Sequence, residues 1–224
     1  MKLSVIVPLL NEAQELPGLL GRLSPLIRNG SEVIFVDGGS DDGSADIAEH
    51  AGFTVVRTAK GRARQMNAAA ALATGGVLLF LHADTQLPDS AETTIAQELA
   101  DSRRVWGRFD IRISGRSAKL RVVSRLMNFR SRLTGIATGD QAMFVTRCAF
   151  NAVGGFPDQP LMEDIELSMR LLSLSRPVCI ARCVTTSGRR WETRGVWRTI
   201  LLMWRLRWDY WRGVPAQKLA EAYR

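Results

Sequence analysis

Apolar residues in the first hundred positions fall in short unbroken runs. LSVIVP (3–8), EVIFVD (32–37), FTVVR (53–57) and VLLFLH (77–82) are too apolar to have a wet face, so they predict strands buried on both sides. Residues 12–27, 44–51, 62–73 and 89–101 between and after them predict helices; the third is Ala-rich and stops at Gly75-Gly76. This βαβα rhythm predicts an α/β fold with a mostly parallel sheet flanked by helices. Right-handed crossovers bring the carboxyl ends of the strands to one edge. The loop after Pro8, together with Asp37 and Asp84, is therefore expected to line one crevice.

The second half is less regular. Residues 105–113 alternate like a strand of a mixed sheet, and 117–133 form a basic helix with Lys119, Arg121, Arg125, Arg130 and Arg132. A strand is expected over 139–147, a helix over 162–174 and a short strand over 177–183. With no repeat and no low-complexity linker, residues 1–224 are read as a single domain in which 195–224 is an amphipathic helical tail. There Trp197, Ile200, Leu201, Trp204, Trp208 and Trp211 form one stripe, with Arg198, Arg205, Arg207 and Arg212 off it. Such a stripe is expected to be core or a dimer contact, ahead of a face lying in a membrane interface.

Charge narrows the partners. Lys+Arg 30 against Asp+Glu 22 gives a net +8, which suits anionic partners: nucleotide diphosphates, acidic lipid surfaces or nucleic acid. Nucleic acid ranks last, since the basic residues form no recognised module and Asp84 and Asp164 would repel phosphate. Cys148, Cys179 and Cys183 form no CxxC pair and suggest neither a disulfide framework nor a zinc site; only His50 and His82 are histidines, which excludes a His-rich metal site. The first residues lack a cleavage site, and no run approaches the roughly 18 apolar residues of a membrane span. A cytoplasmic location is expected, with a peripheral position at the inner membrane face as an extension of it.

The polar residues at the strand ends carry the chemistry. Pro8, Asn11 and Glu12 follow the first strand, where side chains can reach a base or ribose, although capping groups at a helix start look the same. Asp37 precedes a Gly/Ser/Asp turn that is not the GxGxxG of dinucleotide sites. Arg62, Arg64 and Asn67 open a helix, where anions bind well. Asp84 is the candidate ligand for a hard divalent cation. Glu163 and Asp164 start a helix; paired carboxylates separate their acid strengths, which suits one of them to act as a base.

With these residues in hand, the chain resembles a family 2 glycosyltransferase of GT-A (Rossmann-like) fold. SVIVPLLNEA, VIFVDGGSDDGS, KGRARQMNAA, LLFLHADT and GGFPDQPLMEDIELSMRL carry the likeness, and GRARQMN, HADT, GDQ, EDIEL and RRW are closest to a small bacterial subgroup. The resemblance covers about residues 1–194. It implies an enzyme of the hexosyltransferase type: inverting, metal-dependent and non-processive, moving a sugar from a UDP- or GDP-sugar to an acceptor hydroxyl of unknown identity. Pro8, Asn11, Glu12, Asp37, Arg62 and Arg64 would serve the donor. Asp84 would hold Mn²⁺ or Mg²⁺ against the diphosphate. Asp164, supported by Glu163, would deprotonate the acceptor, with Asp140, Gln141, Arg190 and Trp191 on the acceptor side.

Three positions depart from the pattern. Gly38 replaces the second Asp of VDDGS, His82 replaces the first Asp of DXD, and Ser187 replaces the Gln of QxxRW. The last, with the lack of membrane spans, argues against a processive synthase. Two other functions stay open at this point. A nucleotidyltransferase would carry a Gly-rich basic loop after the first strand, where this chain has LLNEAQELP. A non-catalytic protein docked on membranes or paired as a homodimer through its Trp-rich helix would leave the ordered carboxylates unexplained.

Overall fold

The computed structural model describes residues 1–223. Its elements are β1 Leu3–Leu9, α1 Leu16–Arg28, β2 Glu32–Asp37, α2 Ser44–His50, β3 Thr54–Arg57, α3 Arg62–Leu72, β4 Val77–Phe80, β5 Thr85–Gln86, α4 Ala91–Asp101, β6 Trp106–Ser114 and α5 Lys119–Thr134. A 3₁₀ turn Gly139–Gln141, β7 Phe144–Thr146, α6 Arg147–Ala152, α7 Glu163–Leu172, β8 Val178–Ser187, α8 Arg189–Arg194, α9 Val196–Trp211 and α10 Ala216–Tyr223 complete the chain.

One sheet of 8 strands takes the order β3-β2-β1-β4-β7-β6-β8-β5. The first four are parallel; β7 runs against β4 and β6, β6 and β8 are parallel, and β5 closes the edge antiparallel to β8. The antiparallel β7 turns its start, not its end, toward the carboxyl ends of β1–β4. Asp84 just past β4, the turn before β7 and the end of β8 therefore meet at one edge.

β1, β2 and β4 are buried on both faces, as their apolar runs require; the edge strand β3 is not, with Thr54 and Arg57 exposed and Val55 and Val56 only half-buried, because it pairs with β2 alone. Val5, Val7, Phe35 and Leu79 pack against α1, α4 and α5 on one side; Ile6, Val36, Leu78 and Phe80 pack against α3, α6 and α7 on the other. Each such side chain contributes roughly 1.5–3 kcal/mol when taken out of water. The tail is held by Val196 and Ile200 of α9 against the main core and by Leu206 of α9 and Leu219 of α10 against Met162 and Ile165.

Several elements differ from the sequence reading. Helix α1 starts at residue 16, because Asn11 takes a left-handed φ of 57° and a turn intervenes. The strand expected over 139–147 is split: Gln141 folds back to its own turn and β7 holds only three residues before Thr146 caps α6. β8 runs on to Ser187 because β6 and β5 both bond to it. The tail stripe is not core. Trp197, Leu201, Trp204, Trp208 and Trp211 are each more than half exposed, Trp211 at 77%, while Thr199 and Leu206 face inward.

Candidate active site

A cavity of about 590 Å³ opens at the shared edge of the sheet. Asp84, Arg62, His82, Asp140, Glu163, Asp164, Arg190 and Trp191 all line it. Residues 80 positions apart in the chain thus converge on one chamber, brought there by β4, the start of α3, the turn before β7, the start of α7 and α8.

The carboxylate pair is set by local geometry. Met162 takes a left-handed φ of 65° immediately before α7, which swings Glu163 and Asp164 into the first helical turn. Asp164 Oδ2 accepts the Gly139 amide at 2.8 Å, and its Oδ1 accepts the Ile165 amide at 2.8 Å. Glu163 is buried and accepts from Arg62 Nη1 at 3.2 Å. Burial raises the Glu163 pKa; Arg62 opposes this and Asp164 adds to it. Arg62 is 46% exposed and only part of its hydration is lost at the cavity wall, so Glu163 and Asp164 prevail and raise its pKa. Glu163 is thus tied to a permanent cation, while Asp164 is oriented by two amide donors at the cavity wall.

His82 stands where the family pattern has an acid. Its surroundings strip it of water and Arg62 adds like-charge repulsion, so its pKa falls to about 3 and the ring stays neutral. A Cβ on Gly139 would lie 2.5 Å from His82 Nε2, so only glycine fits against the ring there. Asp140 carries a raised pKa, chiefly from burial, partly offset by the hydrogen bond from Thr138 Oγ1.

Asp84 Oδ1 accepts from Thr85 Oγ1 at 3.2 Å and Thr186 Oγ1 at 3.5 Å. Among the described residues no group of three or more His, Cys, Asp and Glu side chains is placed to hold a metal ion. This donor set fits a metal that a lone carboxylate shares with substrate phosphates and water, as Mg²⁺ commonly is, and does not fit a resident protein cage. Glu12 lies close enough to feel it: burial first, then Asp84, raises the Glu12 pKa.

The other expected donor residues do not line the cavity. Asp37 is buried and turned into its own loop, accepting from the Gly39 and Ser40 amides and Ser40 Oγ. Asn11 accepts from the Asp41 amide at 3.0 Å and its own amide donates to Ser40 Oγ at 3.0 Å. The Glu12 and Ala13 amides bond to Ser44 Oγ and Asp42 Oδ2. Pro8 sits in β1 opposite Val36. Arg64 pairs with Asp158 at 2.8 Å on the surface. Gln141 is fully buried and closes a capping box with Thr138.

Sequence reasoning missed Gln65. Its buried Nε2 donates to the Leu9 and Val36 carbonyls at 2.8 and 2.7 Å, clamping the ends of β1 and β2. It also accounts for Gly38, whose added Cβ would lie 3.0 Å from the Gln65 amide. A lone polar residue on the face shared by Ala63, Met66 and Ala69 was the available signal. Asn67 locks the loop before α7, bonding both ways to the Phe156 backbone at 2.8 and 3.0 Å.

Residues 4–153 match the family described as Glycosyl transferase family 2. The chain belongs to that family. It is 34% identical over 150 residues to an undecaprenyl-phosphate 4-deoxy-4-formamido-L-arabinose transferase of Pseudomonas paraeruginosa, covering 61% of this chain and 44% of that relative. This chain thus spans under half the length of that curated relative. Among solved structures it is similar to mannosyltransferase PcManGT of Pyrobaculum calidifontis, in complex with GDP-Man and Mn²⁺, at TM-score 0.63 and 24% identity over 82% of this chain and 56% of the other. Staphylococcus aureus TarS 1–349 with UDP gives TM-score 0.69 and 20% identity over 84% and 60%. These neighbours share the GT-A fold, so the mixed sheet flanked by helices is the one expected.

Proposed function

We propose that this chain transfers a glycosyl group from a nucleotide-diphosphate sugar to an acceptor hydroxyl, inverting the anomeric centre in a single displacement. What carries this reading is the convergence of Asp84 with Glu163 and Asp164 on one cavity, one carboxylate at the strand end and a pair across from it. The GDP-Man and UDP bound by the two structural neighbours make a nucleotide sugar the natural donor.

In this reading Asp84 would hold a divalent cation, Mn²⁺ or Mg²⁺, which when bound neutralises the diphosphate. Asp164 takes the proton of the acceptor hydroxyl. That oxygen bonds to the anomeric carbon as the bond to the diphosphate breaks, and the electron pair leaves with the diphosphate. Glu163, paired with Arg62, fixes where that guanidinium lies and does not act as a second base. His82 stays neutral and so leaves Asp84 as the one carboxylate of its motif. Asn11 and Glu12 stand at the nucleoside end, on a loop that Asp37 shapes from beneath.

The test is turnover of a nucleotide sugar by Asp164→Asn. A fall of ~10²-fold or more with nucleotide affinity retained is expected for loss of a general base. Full turnover would remove Asp164 from that role.

A further inference from the structure

Helix α10 lies beyond residues 4–153, which match the family, and no step of the reaction above uses it. It nonetheless touches the site twice. Leu219 packs against Met162 and Ile165, the two residues that flank Glu163 and Asp164. At the other end of the helix, Tyr223 lines the cavity together with Arg62, Asp164 and Arg190.

Tyr223 acts on Arg190. At the end of β8 the Ser187 amide donates to the Asp84 carbonyl at 3.2 Å, so α8 starts beside Asp84 and carries Arg190 onto the cavity wall. The guanidinium carbon of Arg190 lies 3.7 Å from the centre of the Tyr223 ring. Arg190 Nη1 donates to Tyr223 Oη, and Nη2 donates to the Tyr223 carbonyl at 3.4 Å. Arg194 Nη1 donates to the same carbonyl at 2.9 Å, which ties α8 to α10 a second time.

The kind of partner matters. Arg62 is paired with the Glu163 carboxylate, which offsets its charge. Among the described residues no carboxylate pairs with Arg190. Its partner is a phenol, whose pKa burial raises against the pull of Arg190 and Arg62, so the phenol is neutral at physiological pH. A neutral acceptor and an aromatic face hold a guanidinium in place without cancelling its charge. Arg190 is only partly buried, and without that hold its long side chain would keep rotamer freedom that an incoming ligand has to remove. A fork fixed beforehand meets an oxyanion with little reorganisation.

Resting on the glycosyl-transfer reading, we propose that α10 is part of the active site and that Tyr223 is a positioning residue: its ring and hydroxyl hold the Arg190 guanidinium at the cavity wall, uncancelled, for the diphosphate of the donor. Leu219 makes the same helix a support for the turn that carries Glu163 and Asp164.

The test is a double-mutant cycle on the full chain, read by calorimetric titration of UDP and of GDP with Mn²⁺. Arg190→Ala should weaken binding of the nucleotide that the parent takes by ~10-fold, the size expected for a hydrogen-bonded charge. Tyr223→Ala should weaken it by a similar factor, and the double variant should lie within ~2-fold of Arg190→Ala, because the tyrosine acts only through the arginine. Tyr223→Phe keeps the ring and should recover part of the loss. Nucleotide-free melts show whether Tyr223→Ala is folded at the titration temperature; if it is not, Tyr223→Phe takes its place in the cycle. A residue that only supports the fold would lower the melting temperature without this coupling. Losses that add in the double variant, or a folded Tyr223→Ala chain that binds as the parent does, would overturn the role of Tyr223 and leave glycosyl transfer standing. A parent chain that binds neither nucleotide would overturn both.

Discussion

The loops at the ends of β1 and β2 bond to one another through Asn11, Glu12, Ala13, Ser40 and Asp42, with Gln65 clamping the strands beneath. At the cavity, α5 and α9 present Arg130 with two unpartnered nitrogens and a run of exposed aromatic side chains. The contrast shows where each half gets its order. The first region, which does not line the cavity, has its polar groups satisfied within the chain. The second has polar and apolar groups that only a partner can satisfy.

Four substitutions sharpen this comparison. Gly139→Ala has the largest expected effect. Its Cβ would strike the His82 ring and displace the amide that orients Asp164, so turnover should fall ~10²-fold. Steady-state rates that match the parent would show that the turn does not position the carboxylate. Next, Gln65→Ala removes a donor from two buried carbonyls, and chemical denaturation should show a loss of about 1–3 kcal/mol. An unchanged midpoint would mean that the ends of β1 and β2 are not held from beneath.

The third concerns acid. His82 has a folded pKa of about 3 against an ordinary 6.5, so the unfolded chain takes up a proton that the folded chain refuses. Its contribution is complete above pH 6.5 and is lost as pH falls toward 3. Parent and His82→Asn melting temperatures should therefore converge, or cross, as pH drops through that window; parallel curves would contradict a neutral, water-starved ring. The smallest effect belongs to Arg64→Ala. Its partner Asp158 is exposed, so stability should change by less than ~1 kcal/mol, with nucleotide affinity held. A large loss of nucleotide binding would return Arg64 to the donor site.

The same contrast separates what could be read from the sequence. β1, β2 and β4 and their helices were legible because strands covered on both faces must be apolar throughout, and Val5, Ile6, Phe35 and Leu79 satisfy that in their composition alone. Asp84 followed, since parallel strands fix where their ends lie, whereas Glu163 and Asp164 open a helix and were picked out by the loop before it and by the family resemblance. Gln141 was misread inside a strand because its role is a backbone bond to Thr138, which leaves no mark on the apolar pattern. β8 outran its prediction for a related reason: Thr185 and Thr186 are strand through pairing with β6 and β5, not through side-chain character. The tail shows the limit most clearly. Periodicity located the face of Trp204, Trp208 and Trp211, but the direction in which that face points depends on Leu206 and Leu219 finding Met162 and Ile165.

The central claim is a division of labour within one cavity, Asp84 serving the donor and Asp164 the acceptor. Calorimetric titration of a nucleoside diphosphate, with and without Mn²⁺, into Asp84→Ala and Asp164→Asn tests it most directly. The account predicts that Mn²⁺-dependent binding disappears in the first variant and persists in the second. Equal binding in both, or loss in Asp164→Asn with retention in Asp84→Ala, would contradict it.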